Sequence, residues 1–224
     1  MLYGEEYISR TIRATLLIVS LPIKIILMPR SESYTWGPYL WRTTIHEDQT
    51  ELILKRANEI RGVKSAAPML PFNFDDEWHF TDKDKQWFWG IFKPYFKTYL
   101  NGYSKHNDLP PPTDHDVSNW AFDHIWANYY KSGDMTALHN HVGDLSIVLY
   151  LQVPTYTDKV IGTAPAAGSI TFAWGDSKRT LEPKQNEMLI FPSGLLHMVM
   201  PHRTENVERI SLSANLYYNN TFNG

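Results

Sequence analysis

The residues of this 224-residue chain best suited to chemistry are histidines, and three of its nine are spaced as metal ligands are. His139 and His141 lie in a predicted strand, where alternate side chains point to the same face, so both imidazoles can converge on one ion. His197 follows several predicted strands later, at the end of a turn. Two close ligands and one distant histidine have the arrangement of a facial triad, which leaves coordination positions open. Open positions favour a catalytic metal centre over a structural one.

The identity of the three ligands stays open, because a facial triad for non-haem iron(II) usually contains two histidines and one carboxylate, and these three candidates are all histidines. Asp144 is the nearest carboxylate, and it reaches the metal if the chain turns before it, which Gly143 permits. We therefore predict a site of His139, His141 and His197. The alternatives are a set in which Asp144 replaces one of the first two, and a chain without a metal.

A second candidate site lies on a predicted strand near the C-terminal end of the sequence. The segment 209–216 alternates strictly between polar residues, which begin with Arg209 and Ser211, and apolar residues. If the polar face points into a barrel, the Arg209 guanidinium is buried, and it then needs a carboxylate partner. A dicarboxylate cosubstrate meets this need, with Ser211 donating to the same carboxylate. The alternative is a surface strand on which Arg209 pairs with a neighbouring glutamate.

Composition excludes several other classes of function. The chain contains no cysteine, so it has no disulfide framework, zinc finger, iron-sulfur cluster or catalytic thiol. A net charge of -3 disfavours nucleic acid as a partner. The most apolar run, Thr15–Met28, contains Pro22 and Lys24 and is shorter than the about 20 residues of a membrane span, so no membrane partner is expected.

Two amphipathic helices are expected before the histidines. Apolar residues recur at helical spacing over Glu47–Ile60, and Thr44 with Glu47 matches a capping box. A second helix is expected over Asp82–Leu100, with an aromatic stripe and a kink at Pro94. So many aromatic residues on one face indicate packing against a broad sheet.

From Trp120 onward the pattern changes to short strands separated by turn residues. The predicted strands are Phe122–Tyr130, Ala137–His141, Ser146–Val153, Ser169–Trp174, Met188–Phe191, Met198–Met200 and Ile210–Tyr217. This order predicts a mainly β, α+β fold with helices on one side of an antiparallel sandwich. We expect an N-terminal extension or edge strand at 1–30 and a single domain at 31–224, with a helical buttress at 40–116 and a jelly-roll core at 117–218.

Four segments taken together resemble a known family. They are HNH with SIVLYLQVP (139–154), GSITFAW (168–174), MLIFPSGLLHMVMP (188–201) and RISLSANL (209–216). Their order and spacing resemble the iron(II)- and 2-oxoglutarate-dependent oxygenases of the prolyl-hydroxylase-like superfamily, in particular a group found in marine bacteria and their phages. The resemblance implies a double-stranded β-helix (a cupin-like jelly roll), with N-terminal helices against the larger sheet.

The resemblance also implies roles for individual residues. Iron(II) is bound by His139, His141 and His197, and the distal carboxylate of 2-oxoglutarate is held by Arg209 and Ser211. Further cosubstrate contacts are implied for Tyr150, Asn128 and Tyr130.

The implied activity is hydroxylation of an unknown small-molecule or peptide substrate, with succinate and CO2 as co-products. The expected location is the cytoplasm, of the host cell if the protein is viral, and a homodimer is a possible assembly. Two other functions stay open: a three-histidine cupin-like metalloenzyme without 2-oxoglutarate, and a non-enzymatic jelly-roll structural or binding protein.

Overall fold

A computed structural model of the chain describes residues 31–34, 37–63, 76–159, 162 and 164–219. The predicted extension at 1–30, with its apolar run, lies outside the described residues. The described helices are α1 (Glu47–Ile60), α2 (Asp82–His106) and α3 (Asp114–Ser118). The described strands are β1 (Ser31–Tyr34), β2 (Leu40–Thr44), β3 (Glu77–His79), β4 (Trp120–Tyr130), β5 (Thr136–His139), β6 (Leu145–Gln152), β7 (Ile170–Trp174), β8 (Ser177–Leu181), β9 (Glu187–Pro192), β10 (Leu196–Val199) and β11 (Arg209–Tyr218).

The strands form two antiparallel sheets. The larger sheet has the order β1-β2-β9-β6-β11-β4-β3, and the smaller one has the order β5-β10-β7-β8. Consecutive strands in space come from distant parts of the sequence, as in a double-stranded β-helix, so the predicted mainly β fold with N-terminal helices is confirmed. No helix in the described ranges combines the length and the apolar character that crossing a bilayer requires.

Two hydrophobic cores hold the layers together. One lies between the helices and the outer face of the larger sheet, where Phe88, Phe92 and Phe96 of α2 are almost completely buried. Burial of each such ring contributes roughly 1.5–3 kcal/mol. The other core lies between the two sheets and includes Phe172 and Phe191. The predicted packing of the aromatic stripe on a broad sheet is therefore confirmed.

The alternating apolar and polar residues of β11 face opposite sides of the larger sheet. Ile210, Leu212, Ala214 and Leu216 belong to the core under the helices, whereas the alternate polar residues line a cavity between the sheets. The polar face of the strand therefore points inward. The alternative prediction, that 209–216 forms a surface strand, is therefore wrong.

The predicted capping box of α1 is wrong. The helix begins after His46, whose side chain makes no capping hydrogen bond, because Thr44 is still part of β2 and is paired with β9. Capping boxes occur at the two later helices instead. At α3, Asp116 N donates to Thr113 Oγ1 over 3.2 Å, and Thr113 N donates to Asp116 Oδ2 over 2.7 Å.

Other boundaries also differ from the predicted ones. α2 passes through Pro94 and continues to His106, beyond the predicted end. The predicted helical buttress contains β2 and β3, which extend the larger sheet at both sides. The predicted strand through His141 ends at His139. Strand β8 was not predicted, because its sequence SKRTL is polar and its side chains are mostly exposed.

Candidate metal centre

The pairing of β5 with β10 brings two of the three predicted ligands together. His139 lies directly opposite His197 in this antiparallel pair, and their ring centroids are 4.3 Å apart. His141 completes the group, with ring centroids 4.8 Å from His139 and 5.0 Å from His197. One possible ligand atom from each ring lies within 4.8 Å of the others, and no other group of this kind occurs among the described residues.

His141 reaches the group through a turn and not through strand alternation. It follows the end of β5, and its backbone N–H donates to Ser193 O over 2.9 Å. Ser193 N in turn donates to Asp144 O over 3.0 Å. The chain after β5 is therefore bound to the turn before β10, and this turn positions His141 beside the two strand histidines.

Backbone carbonyls determine which imidazole nitrogens can bind a metal. His139 Nδ1 lies 2.7 Å from Ala137 O, and His197 Nδ1 lies 2.9 Å from Leu195 O. Because a carbonyl oxygen only accepts, Nδ1 carries the proton in each ring and Nε2 keeps its lone pair. Metal-bound histidines typically have such a second hydrogen bond, which fixes the ring and its tautomer.

Burial keeps the three imidazoles neutral. Desolvation, together with the smaller effect of the neighbouring histidines, lowers the pKa of His197 to about 3 and that of His141 to about 4; desolvation also lowers the pKa of His139. All three rings therefore offer lone pairs at neutral pH. This is the protonation state that a metal needs.

The same pKa values predict that the metal-free protein loses stability in mildly acidic solution. In the unfolded chain His197 binds a proton near pH 6.5, whereas in the folded chain it does so only near pH 3. The free energy of unfolding is then constant above this range and falls below pH 6.5, by about 1.4 kcal/mol per pH unit for each such histidine. Denaturant unfolding of the metal-free protein at pH 7.5, 6.5 and 5.5 measures the slope.

The variant His197→Gln, which removes this titrating imidazole, is expected to reduce the slope. A free energy of unfolding that does not change between pH 6.5 and 5.5 contradicts the prediction.

Asp144, the alternative ligand, points elsewhere. Its Oδ2 accepts from Tyr218 N over 2.7 Å, and its side chain lines a different cleft, together with Trp120 and Tyr218. It is not part of the histidine group. The geometry therefore gives no support to a set in which Asp144 replaces a histidine.

Arg209 lies in the same cavity as the histidines, and its guanidinium is buried. It is 2% exposed, and its Nη1 donates to Gly168 O over 2.7 Å. Its guanidinium carbon lies 4.0 Å from the centre of the Tyr130 ring. Nε makes no hydrogen bond, and no carboxylate of the described residues pairs with the side chain. A buried guanidinium in this state is chemically suited to an anionic ligand.

The other predicted cosubstrate residues line this cavity as well. They are Ser211, Tyr150, Asn128 and Tyr130. The Tyr150 hydroxyl is buried without a partner, and burial raises its pKa, so it stays protonated and can donate. Asn128 Nδ2 already donates to Ser213 Oγ over 3.1 Å. The predicted residues are thus brought together, and their roles as ligands stay predictions.

Sequence reasoning did not single out several residues of the cavity wall. Trp126 stands with its ring centroid 5.7 Å from that of His141. Ser146 Oγ donates to Asn215 Oδ1 over 2.9 Å and lies 2.9 Å from Ser193 Oγ. The alternation on β11 pointed to Asn215, but Ser193 had no signal, because its role depends on a turn between distant strands.

Comparisons with known proteins agree with this arrangement. Residues 124–215, which contain the three histidines and Arg209, match the family described as "Putative 2OG-Fe(II) oxygenase". No curated protein sequence matches the chain significantly.

Solved structures with a similar fold include a Pseudomonas putida prolyl-4-hydroxylase, at 14% identity and a TM-score of 0.56, covering 80% of this chain and 92% of that one. A viral collagen prolyl hydroxylase from Paramecium Bursaria Chlorella virus-1 has 14% identity and a TM-score of 0.54, over 80% and 96%. HygX from Streptomyces hygroscopicus, with nickel and 2-oxoglutarate bound, has 9% identity and a TM-score of 0.53, over 82% and 83%.

Proposed function

We propose that the chain, whose residues 124–215 match the family described as "Putative 2OG-Fe(II) oxygenase", hydroxylates its substrate with a three-histidine iron centre. In this proposal His139, His141 and His197 bind iron(II), and Arg209 binds the distal carboxylate of 2-oxoglutarate. The observation that carries the proposal is the buried Arg209 guanidinium, which shares a cavity with the histidines and has no carboxylate partner among the described residues.

The residues fit both groups chemically. Three neutral imidazole nitrogens within 4.8 Å of one another suit a divalent transition metal. Two buried polar atoms without partners, Arg209 Nε and the Tyr150 hydroxyl, suit a carboxylate. Since the protein ligands are neutral and Arg209 is positive, the site attracts a dianion more strongly than a centre that contains an aspartate.

The chain's own residues bind and orient. Iron(II) and 2-oxoglutarate, when bound, supply the oxidising chemistry, in which dioxygen is consumed, 2-oxoglutarate yields succinate and CO2, and one oxygen atom enters a C–H bond. Ala137 and Leu195 hold the histidine rings through their carbonyls. Arg209 fixes the cosubstrate at one end, and the Tyr130 ring beneath the guanidinium keeps water away from it.

Anaerobic titration tests the proposal. Addition of 2-oxoglutarate to the iron(II)-loaded protein is expected to produce a visible charge-transfer band with one equivalent bound, and admission of oxygen is expected to yield succinate. A band without succinate points to a missing substrate. An iron-loaded protein that gives neither a band nor succinate supports the cupin-like metalloenzyme without 2-oxoglutarate instead.

The substrate, the location and the assembly are part of the proposal. We assign a small molecule or a peptide as substrate and the cytoplasm as location, with a homodimer as a possible assembly. A screen that follows 2-oxoglutarate turnover in the presence of candidate compounds tests the substrate class, because binding of the substrate accelerates the coupled reaction.

A further inference from the structure

A second cavity lies on the opposite face of the larger sheet from the histidine site. It is enclosed by α2, the start of β4 and the end of β11, and its volume is about 440 Å³, which is in the range of small-molecule sites. Leu145 faces this cavity, and the next residue of the same strand, Ser146, faces the histidine site. We call this second cavity the aromatic cleft.

Four of the eight residues that line the aromatic cleft are aromatic. Trp120 and Tyr218 form a corner, with ring centroids 5.3 Å apart and planes inclined at 58°. Tyr99 and Tyr103 from α2 stack behind it, with ring centroids 6.2 Å apart. Trp120, Tyr218 and Tyr103 are only half-buried, so parts of their rings remain accessible. The faces of such rings carry negative electrostatic potential.

A carboxylate completes the aromatic cleft. Asp144 Oδ2 accepts from Tyr218 N, which fixes the carboxylate beside the Tyr218 ring, and Oδ1 makes no hydrogen bond within the described part of the chain. Asp116 lies at the Tyr218 hydroxyl and adds a second negative charge. No lysine or arginine is among the residues that line the cleft in the described ranges.

We infer that the aromatic cleft binds an organic cation, an alkylammonium group placed between the Trp120–Tyr218 corner and Asp144. Ring faces and a carboxylate both attract a cation, and their combination is the arrangement that recognises ammonium groups. A neutral apolar ligand would desolvate Asp144 without a partner, and an anion would be repelled. The inference does not depend on the proposed function, because it uses no residue of the iron or cosubstrate site.

A chain of backbone hydrogen bonds connects the aromatic cleft to the metal centre. Asp144 N donates to Leu216 O over 2.9 Å, Asp144 O accepts from Ser193 N, and Ser193 O accepts from His141 N. A cation that holds Asp144 therefore also orders the short segment that carries His141.

The test uses choline and its neutral isostere 3,3-dimethylbutan-1-ol, which differ in charge and hardly in shape. Calorimetric titration of the purified protein is expected to show saturable binding of choline and at least fivefold weaker binding of the isostere. The indole N–H resonance of Trp120, assigned by its loss in Trp120→Phe, is expected to shift with choline. Equal affinity for the two compounds, or an unchanged Trp120 resonance, overturns the inference.

Variants separate the carboxylate from the rings. Asp144→Asn keeps an acceptor for Tyr218 N but removes the charge, and it is expected to weaken choline binding about two- to fivefold, as loss of a solvent-exposed ion pair does. Asp176→Asn, at an exposed turn on the other sheet, is the matched control and leaves binding unchanged. If Asp144→Asn does not fold, Tyr103→Leu tests the same site through a wall residue.

A lysine derivative distinguishes the two sources of the cation. N-acetyl-lysine methylamide is titrated beside choline under the same conditions. Tighter binding of choline supports a free small molecule as the ligand, and tighter binding of the lysine derivative supports a basic side chain of a peptide. Choline affinity that is the same in wild type and Asp144→Asn contradicts both.

Discussion

His197→Ala is expected to abolish metal binding at stoichiometric concentrations. His197 is 3% exposed, lies opposite His139 in the sheet, and has Nδ1 bound to a backbone carbonyl, so that only Nε2 faces the other rings. Its removal leaves two ligands, and no carboxylate of the described residues belongs to this centre to replace it. Because loss of a second hydrogen bond to a ligand already costs about 10- to 100-fold in affinity, loss of the ligand itself is expected to cost more.

Anaerobic iron(II) titration followed by metal analysis measures this effect on protein made without a histidine tag. His124→Ala is the matched control, because His124 is exposed on β4 and away from the group. Full iron occupancy in His197→Ala would refute its role as a ligand. A thermal unfolding curve of each variant shows whether a loss of metal reflects a loss of fold.

Asp144→Asn distinguishes the two ligand sets that the sequence left open. The side chain faces the aromatic cleft, so this substitution is expected to leave iron(II) affinity within about twofold of wild type. A loss of iron comparable to that in His197→Ala would instead restore Asp144 as a ligand.

The main features of the fold could be predicted because they depend on periodicity. The two-residue period of β11 places its apolar side against the helices and its polar side in the cavity, since successive side chains of a strand point to opposite faces. The aromatic positions of α2 follow helical spacing, and this stripe packs on the larger sheet. Periodic signals of this kind survive in a single sequence, because they arise from residues that are close in the chain.

Features that depend on contacts between distant residues could not be predicted. The spacing of His139 and His141 predicted that the two rings lie side by side, which they do. The predicted reason was partly wrong, since His141 is placed by Ser193 and not by a strand. The orientation of Asp144 depends on Tyr218, whose backbone reaches it only after the chain has completed β11. Strand β8 forms by pairing with β7 alone, and its polar sequence carries no sign of this.

Arg209 shows how a local pattern and a tertiary contact combine. Its inward direction follows from alternation on β11, but its lack of a protein partner is a property of the folded chain. Among the described residues, Gly168 O accepts a hydrogen bond from the guanidinium and the Tyr130 side chain packs against it, and neither carries a full negative charge. Burial of a cation in this way destabilises a protein unless a ligand supplies the charge. Arg209 is therefore expected to contribute to ligand binding more than to the stability of the folded protein.

Arg209→Met is accordingly expected to affect cosubstrate binding and stability in opposite directions. Loss of one partner of a buried charged pair costs roughly 3–5 kcal/mol, which corresponds to about two to four orders of magnitude in the dissociation constant of 2-oxoglutarate. Iron(II) affinity is expected to stay unchanged, because Arg209 is not a member of the histidine group and its guanidinium donates to Gly168 O instead. The melting temperature without cosubstrate is expected to stay the same or rise, since an unpaired buried charge is replaced by an apolar chain of similar volume.

Titration of the iron(II)-loaded variant with 2-oxoglutarate, followed through the charge-transfer band, measures the first effect, and thermal unfolding measures the second. Arg203→Met is the control, because the Arg203 side chain is exposed and only its backbone N–H bonds to Asp158. An unchanged affinity for 2-oxoglutarate in Arg209→Met contradicts the assignment of Arg209 as the anchor. A large fall in melting temperature together with weak binding indicates a structural arginine, because a residue that awaits a ligand's charge contributes little to the stability of the empty protein.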